Sequence, residues 1–110
     1  MRVSLCHCLN CQRRSGSAFA IQARFPVERV TIEGAASEYT LTGDEGTRAT
    51  FRFCGTCGAT VYFTNETIAD LVAVPVGAFA DPTFPQPRTS IYNGRKHPWV
   101  TTTGVENCDP

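Results

Sequence analysis

Apolar and polar side chains alternate along most of this chain, which predicts β-strands rather than helices. The clearest alternation covers residues 47–53, where one face is apolar or small and the other is polar. The first face comprises Thr47, Ala49, Phe51 and Phe53, and the second comprises Arg48, Thr50 and Arg52. Similar runs predict strands near residues 19–25, 30–34, 39–41, 59–64, 71–76 and 90–92.

Glycine and proline separate these runs and predict where regular structure ends. Asn10 to Ser15 are expected to form a short helix that Gly16 closes in a left-handed conformation. Residues 43–46, Gly-Asp-Glu-Gly, are typical of a hairpin turn, and Pro75 indicates an edge or a bulge in its strand. Residues 81–87 contain three prolines and exclude regular structure. Many short strands separated by glycine and proline predict a mainly β, antiparallel fold.

Length and composition narrow the class of protein. With 110 residues, the chain is expected to form one domain over residues 1–110, with the polar residues 101–110 as a mobile tail. Phe51, Phe53, Tyr62 and Phe63 are predicted to be core residues. Ten basic residues balance ten acidic ones, which argues against a nucleic-acid partner.

No apolar stretch approaches the ~20 residues that span a bilayer, so no membrane contact is expected. The N-terminus lacks the apolar core of a signal peptide, which predicts a cytoplasmic protein. Six cysteines are present, and five of them fall in two tight clusters. In a reducing compartment such clustered thiols indicate metal ligands, and zinc is the expected metal.

The first cluster, Cys6-His7-Cys8-Leu9-Asn10-Cys11, is suited to hold three sulfurs on one ion. Cys8 and Cys11 can point inward from one tight turn, and Cys6 lies on the same side of an extended segment as Cys8. Three protein ligands leave a fourth position open, as in catalytic zinc sites. By the same alternation, His7 is expected to point away from the sulfurs.

The second cluster, Cys54-Gly55-Thr56-Cys57-Gly58, is a zinc-knuckle pattern that supplies half of a structural site. Spacing alone leaves an alternative open. Cys8, Cys11, Cys54 and Cys57 could form one four-sulfur site, and the protein would then be a non-catalytic zinc module. Thiol redox catalysis is a third and weaker interpretation, because the C-x2-C pairs lack a βαβ setting.

These motifs together resemble the glutathione-dependent formaldehyde-activating enzyme family, also called the GFA or centromere protein V family. The resemblance spans roughly residues 3 to 100 and is carried by Ser4–Ser17, Phe53–Gly58, Val76–Pro82 and His97–Trp99. It implies a β-tent type of fold and two zinc ions. The catalytic zinc would be held by Cys6, Cys8 and Cys11, and Cys54 and Cys57 would hold half of the structural zinc.

Family members complete the structural zinc with an N-terminal C-x-C-G motif. This sequence shows none before Cys6, so it looks like a family domain without its first strands. Cys54 and Cys57 are therefore expected to use solvent, a partner chain or Cys108, to join the first cluster, or to hold no metal. An exposed sheet edge would favour pairing with another chain, so a homodimer is expected.

The resemblance also implies a carbon–sulfur lyase that forms or cleaves the adduct of formaldehyde and glutathione. The partner would be a small-molecule thiol such as glutathione, whose two carboxylates need a basic rim. Arg13 and Arg14 are the expected contacts, with Ser15 as a helper. Arg48 and Arg52 lie on the exposed face of the strand that leads to Cys54. Any single one of these four arginines is more typical of a solvated surface than of a binding site.

Overall fold

The computed structural model describes residues 1–43 and 46–110, and in these residues eight strands form one sheet. In chain order the strands are β1 Arg2–Cys6, β2 Ala20–Pro26, β3 Ser37–Thr42, β4 Arg48–Phe53, β5 Thr60–Asn65, β6 Leu71–Pro75, β7 Thr89–Ile91 and β8 Asn107–Cys108. The mainly β fold expected from the sequence is confirmed.

The strand order across the sheet is β3-β4-β5-β6-β2-β1-β7-β8. Neighbours from β3 to β1 are antiparallel, as the turn signals predict. The β1–β7 and β7–β8 pairs are parallel. Parallel neighbours need long connections, and here the chain crosses most of the sheet between β1 and β7.

The hydrophobic core lies on the central strands. Leu5 on β1, Ala23 on β2 and Val72 on β6 are each buried almost completely. Of the aromatic residues expected in the core, Phe63 is buried, whereas Phe51, Phe53 and Tyr62 are half-buried. The sequence therefore predicts correctly which β4 side chains share a face, but the apolar face is only half-buried and borders a cavity.

His7 and Cys8 connect β1 to helix α1, which covers Leu9–Ser15. Cys8 caps its start, because the Cys8 sulfur accepts a hydrogen bond from the backbone N–H of Cys11 at 3.3 Å. Gly16 ends it with a φ of 66° and donates its N–H to the carbonyl of Gln12. The helix and its glycine cap agree with the sequence prediction. None of the described helices is long and apolar enough to span a membrane.

The strand expected at residues 30–34 is wrong. This segment is irregular and follows a short 3-10 helix at Val27–Arg29. The reason is tertiary, since β2 already pairs with β1 on one side and β6 on the other. An alternating segment directly after β2 therefore finds no free neighbouring edge, and strand pairing resumes only at β3.

The expectation that Pro75 marks an edge or a bulge is also wrong. Pro75 is the last residue of β6, an interior strand between β5 and β2, and pairs in register with Gln22. Proline is tolerated there because the strand stops at that residue. The predicted Gly43–Gly46 turn connects β3 to β4, which pair at Thr42 and Arg48. Two of its residues, Asp44 and Glu45, lie outside the described residues.

Residues near the C-terminus contribute to the sheet. β8 pairs in parallel with β7, and the backbone N–H groups of Glu106 and Asn107 both donate to the carbonyl of Arg88. The N–H of Asp109 donates to the carbonyl of Ser90. The mobility expected for residues 101–110 stays a prediction.

Candidate metal centre

Three cysteine sulfurs meet at the junction of β1 and α1. Cys6 is the last residue of β1, Cys8 is the helix cap, and Cys11 lies in the first turn of the helix. Their sulfur atoms all lie within 4.8 Å of one another. Within residues 1–43 and 46–110, this is the group of three or more metal-ligating side chains that the fold assembles.

The three thiols stabilise one negative charge among themselves. Hydrogen bonds from the side chains of Cys11 and Cys6 lower the pKa of Cys8 to about 2. The corresponding hydrogen bonds to Cys11 and Cys8, together with burial, raise the pKa of Cys6. The backbone N–H of Cys11 adds a further donor to the Cys8 sulfur. These hydrogen bonds favour the thiolate form of Cys8.

This donor set fits a thiophilic metal ion such as zinc. Tetrahedral zinc with Zn–S bonds of ~2.3 Å places its sulfur ligands ~3.8 Å apart. The three sulfurs, all within 4.8 Å of one another, already approach that spacing. No carboxylate or imidazole belongs to the group as found in the described residues, and an all-sulfur set suits zinc far better than magnesium or calcium. Cys6, Cys8 and Cys11 could thus hold a metal.

The second cysteine pair forms a knuckle in the loop between β4 and β5. The Cys54 sulfur accepts a hydrogen bond from the backbone N–H of Thr56 at 3.4 Å. Backbone N–H groups of Cys57 and Thr56 lower the pKa of Cys54. Gly58, with a φ of 80°, closes the loop by donating its N–H to the Cys54 carbonyl. The loop conformation is that expected of a knuckle.

The two cysteine clusters stay apart in this structure. Cys54 and Cys57 do not belong to the three-sulfur group, and neither does the exposed Cys108 on β8. A single site made of Cys8, Cys11, Cys54 and Cys57 is therefore not assembled among the described residues. Whether Cys54 and Cys57 bind a metal stays a prediction.

His7 lies between Cys6 and Cys8 in sequence, but its side chain points away from their sulfurs. Its side chain is buried, its Nε2 lies 3.1 Å from the Ser90 hydroxyl, and its ring packs edge-on against Phe19. Burial lowers the pKa of His7, which favours the neutral ring. This placement agrees with the expected orientation away from the sulfurs. His7 thus connects the cysteine loop, residues 6–11, to Ser90 on β7.

Gln12 ties the same loop to the C-terminal part of the chain. Its side-chain amide donates to the carbonyl of His7 at 2.8 Å and to the carbonyl of Arg95 at 3.2 Å. Its Oε1 lies 3.0 Å from Nε2 of His97. The sequence does not indicate this role, because no spacing pattern distinguishes a glutamine that forms a hydrogen bond to a residue 83 positions away from one on the surface.

Replacing Gln12 with alanine is expected to weaken metal binding by about tenfold or more, because groups that hold metal ligands in place typically contribute 10- to 100-fold to affinity. Competition with a chromophoric chelator would measure the change. Gln86→Ala, at an exposed position outside this network, is the control and should bind metal normally. Unchanged affinity in Gln12→Ala would mean that the loop keeps its shape without the amide.

A cavity of about 340 Å³ opens beside the cysteine loop, and Cys8 lines it. Arg13, Tyr92 and Arg95 contribute to its walls. Tyr92 has a φ of 56°, an uncommon conformation for a bulky residue, and its carbonyl accepts the N–H of Arg95 at 3.0 Å. The cavity therefore combines the Cys8 sulfur with two guanidinium groups.

Only one of the three substrate residues expected from the sequence lies beside Cys8. Arg13 lines that cavity, and its Nη1 is 3.0 Å from Oδ1 of Asn10. Arg14 lines a second cavity, and the Ser15 hydroxyl donates to the Cys11 carbonyl at 2.8 Å. Arg95 was missed, because it enters the site from a turn at Asn93–Arg95 that no sequence pattern connects to the cysteines.

Arg48 and Arg52 lie apart from these cavity walls and pair with acids on neighbouring elements. The Nε of Arg48 is 3.4 Å from Glu66, and the Nε of Arg52 is 3.2 Å from Glu38. Both pairs are partly exposed and contribute little to stability. Both arginines are therefore surface residues, in agreement with the interpretation of these arginines as solvated side chains.

The fold and site define a class: a small β-sheet protein with a cluster of three thiols that could hold a metal, beside a basic cavity. Comparison with protein families refines this class, because residues 1–95 match the glutathione-dependent formaldehyde-activating enzyme family. The chain belongs to this family, which confirms the resemblance noted in the sequence. No curated protein matches the chain significantly. Family membership connects the chain with glutathione and with formaldehyde activation.

Proposed function

We propose that this protein is a zinc-dependent carbon–sulfur lyase that forms and cleaves a glutathione–aldehyde adduct, with formaldehyde as the simplest aldehyde. The observation that carries the proposal is the placement of the three-sulfur group on the wall of a basic cavity. Cys6, Cys8 and Cys11 would hold the zinc, which would bind a substrate sulfur, and the cavity gives that substrate room.

The reaction is a balanced addition. The glutathione sulfur forms a bond to the carbonyl carbon, the C=O π bond breaks, and the thiol proton ends on the former carbonyl oxygen. Cleavage reverses each change. When bound by Cys6, Cys8 and Cys11, zinc would supply a Lewis acid that keeps a substrate thiol deprotonated near neutral pH.

The residues of the chain bind and orient the thiol. Glutathione carries two carboxylates, and Arg13 and Arg95 present guanidinium groups in the cavity that Cys8 lines. Charge-assisted hydrogen bonds to such groups are stronger than neutral ones and fix orientation. Gln12 and His7 hold the cysteine loop in place, so that the sulfurs keep their geometry while substrate binds.

The alternative function is a non-catalytic zinc module with one four-cysteine site. It needs Cys54 and Cys57 within reach of Cys8 and Cys11, and the described residues do not bring them together. The separate clusters therefore favour the enzyme. A cytoplasmic location, a homodimer and a structural metal on Cys54 and Cys57 remain predictions.

The proposal is tested by exchange spectroscopy on a mixture of glutathione and formaldehyde, which also react without a catalyst. The zinc-loaded protein is expected to speed exchange between free and adduct forms well beyond the spontaneous rate. Cys108→Ser, which changes an exposed thiol outside the cluster, is expected to retain the acceleration. If the zinc-loaded protein leaves the exchange rate at its spontaneous value, the lyase proposal is wrong and the zinc module is favoured.

Arg95→Gln is expected to raise the KM for glutathione by about tenfold to a hundredfold with little change in kcat, because a lost charge-assisted hydrogen bond costs about 1.5–3 kcal/mol. Glutamine is shorter than arginine and keeps a hydrogen-bond donor, but it removes the charge. Arg29→Gln, at an exposed position in the 3-10 helix after β2, is the control and should leave KM unchanged. A fall in kcat at constant KM would assign Arg95 a role in the chemical step instead.

A further inference from the structure

A second and larger cavity, of about 640 Å³, lies between α1 and one face of the β3–β4–β5 part of the sheet. Its sheet wall is apolar and comprises Tyr39, Leu41, Phe51 and Phe53. Strand register explains this wall: Tyr39 pairs directly with Phe51, and Phe53 lies two residues further along the same strand. Side chains two apart on a strand share a face, so the four side chains form one continuous surface.

The two cavities adjoin each other. Asn10 and Arg13, on the first turns of α1, line both of them. A molecule with its sulfur beside Cys8 can therefore extend past these two side chains to the aromatic wall. The larger cavity is a continuation of the site that the proposed function uses.

Arg14 gives the larger cavity a positive rim. Its guanidinium carbon lies 5.1 Å from the ring centre of Phe51 and 5.0 Å from that of Phe63. Two of its nitrogens, Nε and Nη2, are buried without a hydrogen-bond partner among the described residues. The ring faces partly stabilise the charge, so the guanidinium lies against the aromatic rings and forms part of the cavity wall.

Formaldehyde does not account for this space. Its single carbon carries no group that reaches an aromatic wall, and glutathione itself is polar throughout. A volume of about 640 Å³ is within the range of cavities that bind small organic molecules. An apolar wall contributes binding energy only when an apolar group covers it.

We propose that the larger cavity binds an apolar group, of aryl or branched-alkyl size, on the carbon of the adduct. The substrate class is then the anionic adduct of glutathione with a larger apolar aldehyde. In cleavage, the bond between sulfur and carbon breaks, the hydroxyl proton returns to the sulfur, and the aldehyde leaves with its apolar group. This inference rests on the proposed function and names the substrate of the same site.

The test compares two stable glutathione thioethers by calorimetry on the metal-loaded protein. S-benzylglutathione resembles a benzaldehyde adduct without its hydroxyl, whereas S-methylglutathione lacks the ring. The benzyl compound is expected to bind about tenfold or more tightly, because burying a ring removes apolar surface from water. Binding is measured, so the result does not depend on turnover.

Two wall variants locate the ring. Tyr39→Ala and Phe53→Ala are each expected to reduce the benzyl preference severalfold and to leave S-methylglutathione binding unchanged. Tyr39 is 61% exposed on an edge strand, so its removal leaves the fold intact even if Phe53→Ala does not fold. Ile32→Ala is the matched control, because Ile32 is 51% exposed and lines a different cavity.

The outcomes are distinct. Equal affinity for the two thioethers overturns the apolar subsite and leaves glutathione binding, and with it the proposed function, intact. Failure of both compounds to bind overturns the apolar subsite, whereas only an exchange rate of glutathione and formaldehyde at its spontaneous value overturns the proposed function. If both wall variants still bind the benzyl compound more tightly than the methyl compound by the same factor, the ring binds elsewhere. The assignment of the apolar group to the larger cavity is then wrong. If sedimentation shows a dimer that Tyr39→Ala dissociates, a second copy covers the wall and the inference is wrong.

Discussion

Replacement of Cys8 by serine is expected to remove the metal from the three-sulfur group while helix α1 stays in place. Cys8 has two roles, as a sulfur of the group and as the helix cap. Serine is among the best cap residues, so its hydroxyl can accept the N–H of Cys11 as the sulfur does. The substitution therefore separates the two roles.

The expected loss of metal affinity in Cys8→Ser is more than about a hundredfold, since even groups that only support a ligand contribute up to that much. Any acceleration of glutathione–aldehyde exchange should fall to the spontaneous rate. Metal content after dialysis against a chelator and exchange rates would both be measured. Cys8→Ala should lose the metal equally and additionally lose about 1 kcal/mol of stability, because alanine cannot cap the helix.

Cys108→Ser is the thiol control, since Cys108 is exposed on β8 and lies outside the group. It should retain both metal and activity. One metal ion per chain that survives in Cys8→Ser at full affinity would contradict the three-sulfur centre. It would assign the ion to Cys54 and Cys57, whose knuckle loop does not depend on Cys8.

Leu5→Ala is expected to destabilise the fold by about 2–5 kcal/mol, the range for removing a buried leucine side chain. Leu5 is only 2% exposed and lies on β1, between β2 and β7. It immediately precedes Cys6, so the strand that it anchors also positions the first sulfur. The loss is large because the neighbouring strands pair on both sides and cannot collapse into the space.

Denaturant unfolding monitored by circular dichroism would measure this loss. Leu9→Ala makes the same substitution at a position that is 44% exposed, where it should cost under about 1 kcal/mol. Alanine is also a good helix former at that position in α1. Similar losses for the two variants would mean that β1 is not part of the cooperative core.

Much of the local structure follows from short stretches of sequence. Alternation predicts β4 with the correct phase, and Gly16 marks the end of α1. Alternation fails at residues 30–34, where the pattern is present but the preceding strand β2 is already paired on both sides. The expectation from proline fails at Pro75, which ends an interior strand. Alternation reports which residues share a face, whereas strand pairing depends on neighbours that are distant in sequence.

The candidate metal centre likewise has features that follow from sequence and features that depend on tertiary structure. Cys6, Cys8 and Cys11 lie within six consecutive residues, so the geometry of one strand end and one helical turn brings their sulfurs together. Sequence by itself thus determined this group and the family resemblance. Only the tertiary structure shows that Cys54 and Cys57 are separate from this group and that Gln12 contacts Arg95. It also places Arg95 in the cavity beside Cys8 and builds the aromatic wall from Phe51 and Phe53. Each depends on segments that meet through sheet order and chain crossing, which residue spacing along the chain does not encode.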